Sequence, residues 1–413
     1  MDRDPSPAGL PALREILPGV QFGEINETEL VQCDEIVLSP GVPLASPEVQ
    51  AAITAGVPVT GDVAMFGDLA DSPIVAITGS NGKSTVTSLV GEMARYANVN
   101  AGIGGNIGTP CLDLLSGGHD VFVIEVSSYQ LEVATQLPAE VAVVLNLSPD
   151  HQDRYPTVDT YYQTKAAIYN HARQAVVNRD IDFDFPIDET ARVLTFGTQP
   201  PGSDMEFGLR DGPGGIWLCR GQSDLVSTSE LPIRGRHNHL NVLAAFAIGS
   251  ALDWDIQTMI DAARAFPGLP HRCERLLDTG DVEYINDSKA TNVQSTIAAL
   301  EGIAPDSKRL TLILGGIGKD ADFSPLAAAI EHHAGRVFVF GRDRDVIRRQ
   351  IGDAVPVRMT EFLDDVVKEI ADVALPGETI LFSPACSSLD QFRNFEDRGD
   401  HFKALVRISR GAG

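Results

Sequence analysis

The chain reads as an α/β protein built on parallel sheets and divided into two or three domains, and three observations carry that expectation. Seven short apolar runs recur along it, "EIVLSPG", "PIVAITG", "VFVIEVS", "VAVVLNLS", "RLTLILGG", "RVFVFG" and "TILFSP", separated by helix-length segments. Runs of this length are buried on both faces in parallel sheets, and each ends in the small or polar residues found where open α/β sheets bind ligands. The stretch "IVAITGSNGKSTVTSLVGEM" joins one such run to a helical pattern through glycines. Finally, 413 residues exceed one ordinary core.

Taken in order, the run at 35–41 is the first strand. At residues 74 to 77 a second run precedes Gly79, Ser80, Asn81, Gly82, Lys83, Ser84 and Thr85, and Val86, Leu89, Val90 and Met93 then recur at helical spacing. The spacing is two residues shorter than the usual phosphate loop. Strand, glycine turn and helix nonetheless follow one another, so turn amides and the helix N-terminus face an anion, Lys83 reaches phosphates, and Ser84 or Thr85 can ligate Mg²⁺. The alternative is a plain βα turn with a surface lysine; the Lys-Ser-Thr triplet in this context favours phosphate.

Glu125 stands near the end of an apolar run, where a carboxylate is costly unless paired or metal-bound. His151 follows the next run. Alone it reads as a loop histidine; beside a phosphate loop and Glu125 it reads as a ligand. Lys165, in "YYQTKAAIYNHA", lies on a helix with Tyr161, Ile168 and Tyr169, and its residues alone say no more than a snorkelling lysine. Residues 199–235, rich in Gly, Pro and Ser, read as a small antiparallel β excursion. A helix follows at "NHLNVLAAFAIGSAL". The α/β rhythm restarts after "FPGLPHR", residues 266–272. "LGGIGK" is open to two readings: a second phosphate loop lacking its hydroxyl residue, or a strand-end lysine suited to a substrate carboxylate.

The charge balance, 57 acidic against 32 basic residues, argues against a nucleic-acid-binding surface. Five dispersed cysteines without a Cys-x-x-Cys pair suggest neither a disulfide framework nor a structural zinc site. No leader and no bilayer-length apolar run is expected, so a cytoplasmic protein without a membrane span is the expectation. The chain is expected to be a monomer.

The segments "TGSNGKST", "GGNIGTP", "EVSSYQLE", "SPDHQDRY", "YYQTKAAIY", "RHNHLNVLAA", "GLPHRCE", "INDSKATN", "LGGIGKDADFSPL" and "SPACSSLDQFRNFEDRGDHF" occur in the order found in the ATP-dependent Mur ligases, and the chain resembles the D-glutamate-adding MurD type of that family. The short glycine loop is this family's own form of the phosphate loop. The resemblance implies α/β architecture in three domains: a truncated Rossmann-like N-terminal domain (1–61, remnant of the UDP-sugar site), a central P-loop ATPase-like parallel sheet with the small β excursion (62–268, ATP), and a Rossmann-like C-terminal domain (269–413, amino acid). It implies that Lys83 and the loop amides hold ATP phosphates and that Ser84, Glu125, His151 and Lys165 serve Mg²⁺. Lys165 would do so as a CO₂-derived carbamate, an anionic oxygen donor suited to a hard cation. Asn238, Asn241, Arg272 and Asp287 match positions near adenine and ribose. Asn106 faces the muramoyl substrate. Lys319, Thr291, Ser388 and Phe395 match the D-glutamate pocket, with Lys289 nearby.

The implied reaction joins UDP-N-acetylmuramoyl-L-alanine to D-glutamate through an acyl phosphate, in peptidoglycan precursor synthesis. The rival expectations are another Mur or folylpolyglutamate-type ligase, and a non-catalytic nucleotide-binding relative. One departure stands out. The family opens with a βα unit carrying "GxGxTGxS", whereas this sequence starts at "MDRDPSPAGLP", which resembles the stretch after the family's second strand. Asp2 and Ser39 are then the expected remnant of the nucleotide-sugar site. A start codon assigned too late is favoured over a real truncation, and the shortened form is expected to have a loosely folded first domain and weak UDP-sugar affinity.

Overall fold

Alternate side chains of the apolar runs point to opposite faces of a sheet, and here both faces are covered. Val75 and Ile77 pack with Val123, Val141 and Val143 in one core, while Ile74 and Ala76 pack with Phe122, Ile124, Ala142 and Val144 in the other. The structure, a computed structural model, describes residues 14–17, 25–152, 154–276, 282–303 and 309–409. Asp2 lies outside them.

The first described strands, β1 (Ile36–Val37) and β2 (Val59–Thr60), pair in parallel over a small core of Ile36, Leu38, Val49, Ala52 and Val57. The large sheet follows, with β3 (Ile74–Thr78), β4 (Ala101–Gly105), β5 (Val121–Glu125), β6 (Val141–Val144), β7 (Gln174–Asn178), β8 (Arg192–Phe196), β9 (Glu206–Gly212), β10 (Gly215–Arg220) and β11 (Ser223–Ser227). Their spatial order is β11-β10-β9-β8-β7-β6-β3-β5-β4. β3 lies between β5 and β6, where the direction of winding reverses, so the loop after β3 opens at the switch point of the sheet. Helices Lys83–Tyr96, Arg236–Ala251 and Ile256–Ala265 cover one face. The helix Asp62–Leu69 and residues 111–117 and 168–169 cover the other.

The expected β excursion is antiparallel across β9, β10 and β11, and β9 also pairs in parallel with β8 at Thr195–Glu206 and Phe196–Phe207, so it extends the edge of the main sheet. The last sheet holds β12 (Glu274–Arg275), β13 (Glu283–Asn286), β14 (Leu310–Gly315), β15 (Arg336–Phe340), β16 (Val357–Met359) and β17 (Thr379–Phe382), in the order β12-β13-β17-β14-β15-β16. All its pairings are parallel except β12–β13. All seven apolar runs thus contain strands. Among the described residues no helix is long and apolar enough to cross a membrane.

Candidate active site

The glycine loop is short because a neighbouring side chain completes it. Asn146, just past β6, accepts from the Asn81 amide at 2.8 Å and donates to the Asn81 carbonyl at 3.0 Å, closing the turn through a side-chain amide. Ser80 Oγ donates to the Ser148 carbonyl and accepts from the Ser148 amide, both at 3.0 Å. Gly82 has φ 82°, a left-handed backbone that favours glycine, and a Cβ there would meet Asn241 Oδ1 at 2.5 Å, so any other residue would also have to displace the Asn241 side chain. Neither Asn146 nor Ser148 was expected from the sequence; the signal was polar residues in the loop just past a buried strand.

Lys83 opens the helix after the loop and folds back, donating to the carbonyls of Gly79 at 2.9 Å and Ser80 at 3.2 Å. Lys165 Nζ donates to the same Gly79 carbonyl at 3.0 Å, beneath the ring of Tyr161. Lys165 is only 2% exposed, so it does not snorkel. Burial lowers the pKa of both lysines, that of Lys165 well below its ordinary value, with the Lys83 charge adding to the depression. Two amines converge on one carbonyl.

Glu125, the last residue of β5, is buried. It accepts from Ser84 Oγ at 2.6 Å and from Asn106 Nδ2 at 2.8 Å, both neutral donors. Arg272 reaches in from the segment before β12 and donates to Ser84 Oγ at 2.7 Å. His151 lies in the loop after β6 at φ 54°, with Nδ1 2.7 Å from Tyr129 Oη. Thr85 is buried on the first turn of its helix. Asn238 and Asn241 share a helix face: Asn241 Nδ2 donates to Asn238 Oδ1 at 3.2 Å, and Asn238 Nδ2 donates to the Arg234 carbonyl.

The last sheet contributes Asp287, which accepts from Ser383 Oγ at 2.7 Å and the Cys273 amide at 3.1 Å. Burial raises its pKa to about 6, against the pull of those hydrogen bonds and of Arg272. Lys289 stacks over the Phe395 ring at 4.0 Å, and burial, aided by Arg272, lowers its pKa to about 8. Ser388 is buried past β17, where its carbonyl accepts from the Phe392 amide. Thr291 and Lys319, the latter at φ 50°, are exposed, as is Ser39. Among the described residues no side-chain hydrogen bond or ion pair joins these three to the groups above. Two further contacts tie the sheets together: Ser295 Oγ donates to Asn81 Oδ1 at 2.8 Å, and Asn292 Nδ2 to Asp150 Oδ2 at 3.3 Å.

Comparison with known proteins adds the family. Residues 1–61 match the Mur ligase MurD-like N-terminal domain, 77–249 the Mur ligase middle domain, and 271–386 the Mur ligase glutamate ligase domain. A protein of Marinobacter nauticus named UDP-N-acetylmuramoylalanine--D-glutamate ligase is 45% identical over 403 residues, 97% of this chain and 90% of its own length. A Pseudomonas fluorescens protein of the same name is 45% identical over 409 residues, 98% of this chain and 91% of its own. Among solved structures, the MurF ligase of Thermotoga maritima in complex with ADP has a TM-score of 0.63 at 16% identity, covering 93% of this chain and 99% of that one, a likeness of fold. Domain matches along most of the sequence and near-full-length identity of this level place the chain in the Mur ligase family.

Proposed function

We propose that this chain is the ligase that joins D-glutamate to UDP-N-acetylmuramoyl-L-alanine at the expense of ATP, in peptidoglycan precursor synthesis. The observation that carries the chemistry is the convergence of Lys83 and Lys165 on the Gly79 carbonyl beside the Ser84–Glu125 pair, with Arg272 closing over it. The names of the 45% identical relatives supply the substrates, and the ADP of the MurF structure supports the nucleotide.

The reaction brings two anions together. The amides at the helix N-terminus and Lys83 neutralise the γ-phosphate, as in other phosphoryl transfers where positioning and charge stabilisation dominate. The alanyl carboxylate oxygen attacks the γ-phosphorus and ADP leaves; the D-glutamate amine then adds to the acyl carbon, and phosphate departs with the C–O bond. Arg272, Asn238, Asn241 and Asp287 are assigned to the nucleoside. Asn106 and Ser39 are assigned to the muramoyl side. Lys289, Thr291, Lys319, Ser388 and Phe395 are assigned to D-glutamate.

The residues fit a magnesium ion. Glu125 is a buried carboxylate that, among the described residues, accepts from the neutral side chains of Ser84 and Asn106; Ser84 supplies a hydroxyl, and His151 an imidazole. Mg²⁺ is an ion held by one or two carboxylates together with substrate phosphates. When bound it would neutralise phosphate charge. Lys165 fits the carbamate: burial lowers the pKa of its amine, so the proton is lost more readily, and the unprotonated amine adds CO₂ with loss of a proton.

The test is phosphate release from ATP and UDP-N-acetylmuramoyl-L-alanine with D-glutamate, L-glutamate, L-lysine or no amino acid. Release that needs both the UDP-sugar and D-glutamate is expected. Preference for another amino acid would assign the chain to a sibling ligase, and ATP hydrolysis indifferent to both would contradict the proposal.

A further inference from the structure

Lys319 lies between β14 and the helix Leu326–His333, on a stretch with neither helix nor strand, so side chains from elsewhere must hold its backbone in place. We propose that Asp343 is a positioning residue for Lys319, its carboxylate holding the main chain one residue before the lysine and so fixing where that amine meets the amino-acid substrate. This rests on the assignment of Lys319 to D-glutamate under the function proposed above.

Asp343 follows β15 at the N-cap of the helix Arg344–Ile351, where an aspartate ordinarily caps the free amides of its own helix. Here it makes no such bond. Its Oδ2 accepts instead from the Gly318 amide at 2.7 Å, and its own amide donates to the Gly316 carbonyl at 3.1 Å. The same helix takes hold of the loop a second time through Gln350, whose Oε1 accepts from the Phe323 amide at 2.6 Å. Between the two anchors Lys319 and Asp320 both have left-handed backbones, φ 50° and 59°, a conformation that residues with side chains keep only where their surroundings impose it. A Cβ on Gly318 would meet the Phe323 ring at 2.7 Å, so the chain passes close over that buried ring. Ile317 and Ser387 exchange both backbone bonds at 2.9 Å, which joins this loop to the one carrying Ser388. The Gly318 anchor therefore sets Lys319 relative to another residue assigned to D-glutamate. Among the described residues no ion pair joins Asp343 to Lys319, so the hold acts on the main chain through hydrogen-bond geometry.

The test moves the acceptor and the charge separately. Asp343→Glu keeps the charge and displaces the acceptor by one methylene; Asp343→Asn keeps an acceptor in place and removes the charge. Hydrogen exchange of backbone 316–323 in the full chain, read by mass spectrometry, should quicken in Asp343→Glu and stay near native in Asp343→Asn. In the phosphate-release assay the KM for D-glutamate should rise about tenfold in Asp343→Glu, the upper range for one ordinary hydrogen bond, with little change in kcat. It should stay near native in Asp343→Asn, and the KM for ATP and for the UDP-sugar should hold in both. Lys319→Ala should raise the D-glutamate KM as well. Native-like exchange or D-glutamate KM in Asp343→Glu would overturn the positioning role, and so would a rise in all three KM values together or a rise in Asp343→Asn alone. If Lys319→Ala still raises the D-glutamate KM in those cases, the assignment of Lys319 stands; a native KM in Lys319→Ala would overturn that assignment and the positioning role with it.

Discussion

Asp287 ionises at about 6, against 3.8 for an ordinary aspartate, because burial outweighs the hydrogen bonds from Ser383 and Cys273 and the attraction of Arg272. Below about pH 4 the carboxyl is protonated both folded and unfolded. As pH rises, the unfolded chain loses the proton first, so stability falls between about pH 4 and 6 and the penalty is complete above that window. Asp287→Asn removes the penalty: stability in urea at pH 8 should rise, by up to about 3 kcal/mol for two pKa units, with little difference at pH 4. An equal effect at both pH values would show that burial of charge is not the cause. Lys165 gives the second residue-scale prediction. Protein equilibrated with ¹³C-bicarbonate should show one carbamate carbon resonance, absent from Lys165→Arg, and phosphate release by that variant should fall about 10²–10³-fold, as for loss of a group placed against transition-state charge. Persistence of the resonance in the variant would move the modification to another lysine.

At the scale of elements, the loop between β3 and its helix joins sequence to chemistry most closely. Gly82→Ala forces an alanine into a left-handed backbone, roughly 1–2 kcal/mol, and drives its Cβ into Asn241. Both the urea midpoint and the affinity for ATP should drop, measured by unfolding and by calorimetry; a normal nucleotide affinity would mean that the Asn241 contact does not shape the loop. What the sequence made legible here was local. The strand, glycines, Lys83 and Ser84 are contiguous, and Glu125 declared itself as a charge at the end of an apolar run. Asn146 and Ser148 complete the loop from 65 and 68 residues away, a pairing that no periodicity encodes. Lys165 illustrates the same limit: helical spacing put it on a helix, but only the packed fold buries it and brings its amine to Gly79. The excursion after residue 199 was legible as antiparallel, whereas its attachment to β8 depends on a parallel pairing of only two residue pairs.

Across the whole molecule, named side chains join one unit to the next. Arg154, from the loop after β6, holds the loop at residues 40–42 and is paired with Glu132, both partners largely buried. Arg154→Met leaves Glu132 without its partner, a change that typically costs 3–5 kcal/mol. Its urea transition should begin earlier, with the first segment becoming sensitive to protease before the rest; a native-like transition would show that the loop is held by its apolar contacts. On the other side, Arg272, Asn292 and Ser295 reach Ser84, Asp150 and Asn81, so the last sheet closes directly on the phosphate loop. The proposed chemistry, in which ATP activates a carboxylate at that junction, predicts where each atom goes. The most direct measurement is therefore the fate of ¹⁸O in UDP-N-acetylmuramoyl-L-alanine labelled in both alanyl carboxylate oxygens, incubated with ATP, Mg²⁺ and D-glutamate. One ¹⁸O should appear in each phosphate released and one should remain in the new amide; phosphate free of ¹⁸O would contradict carboxylate attack on ATP.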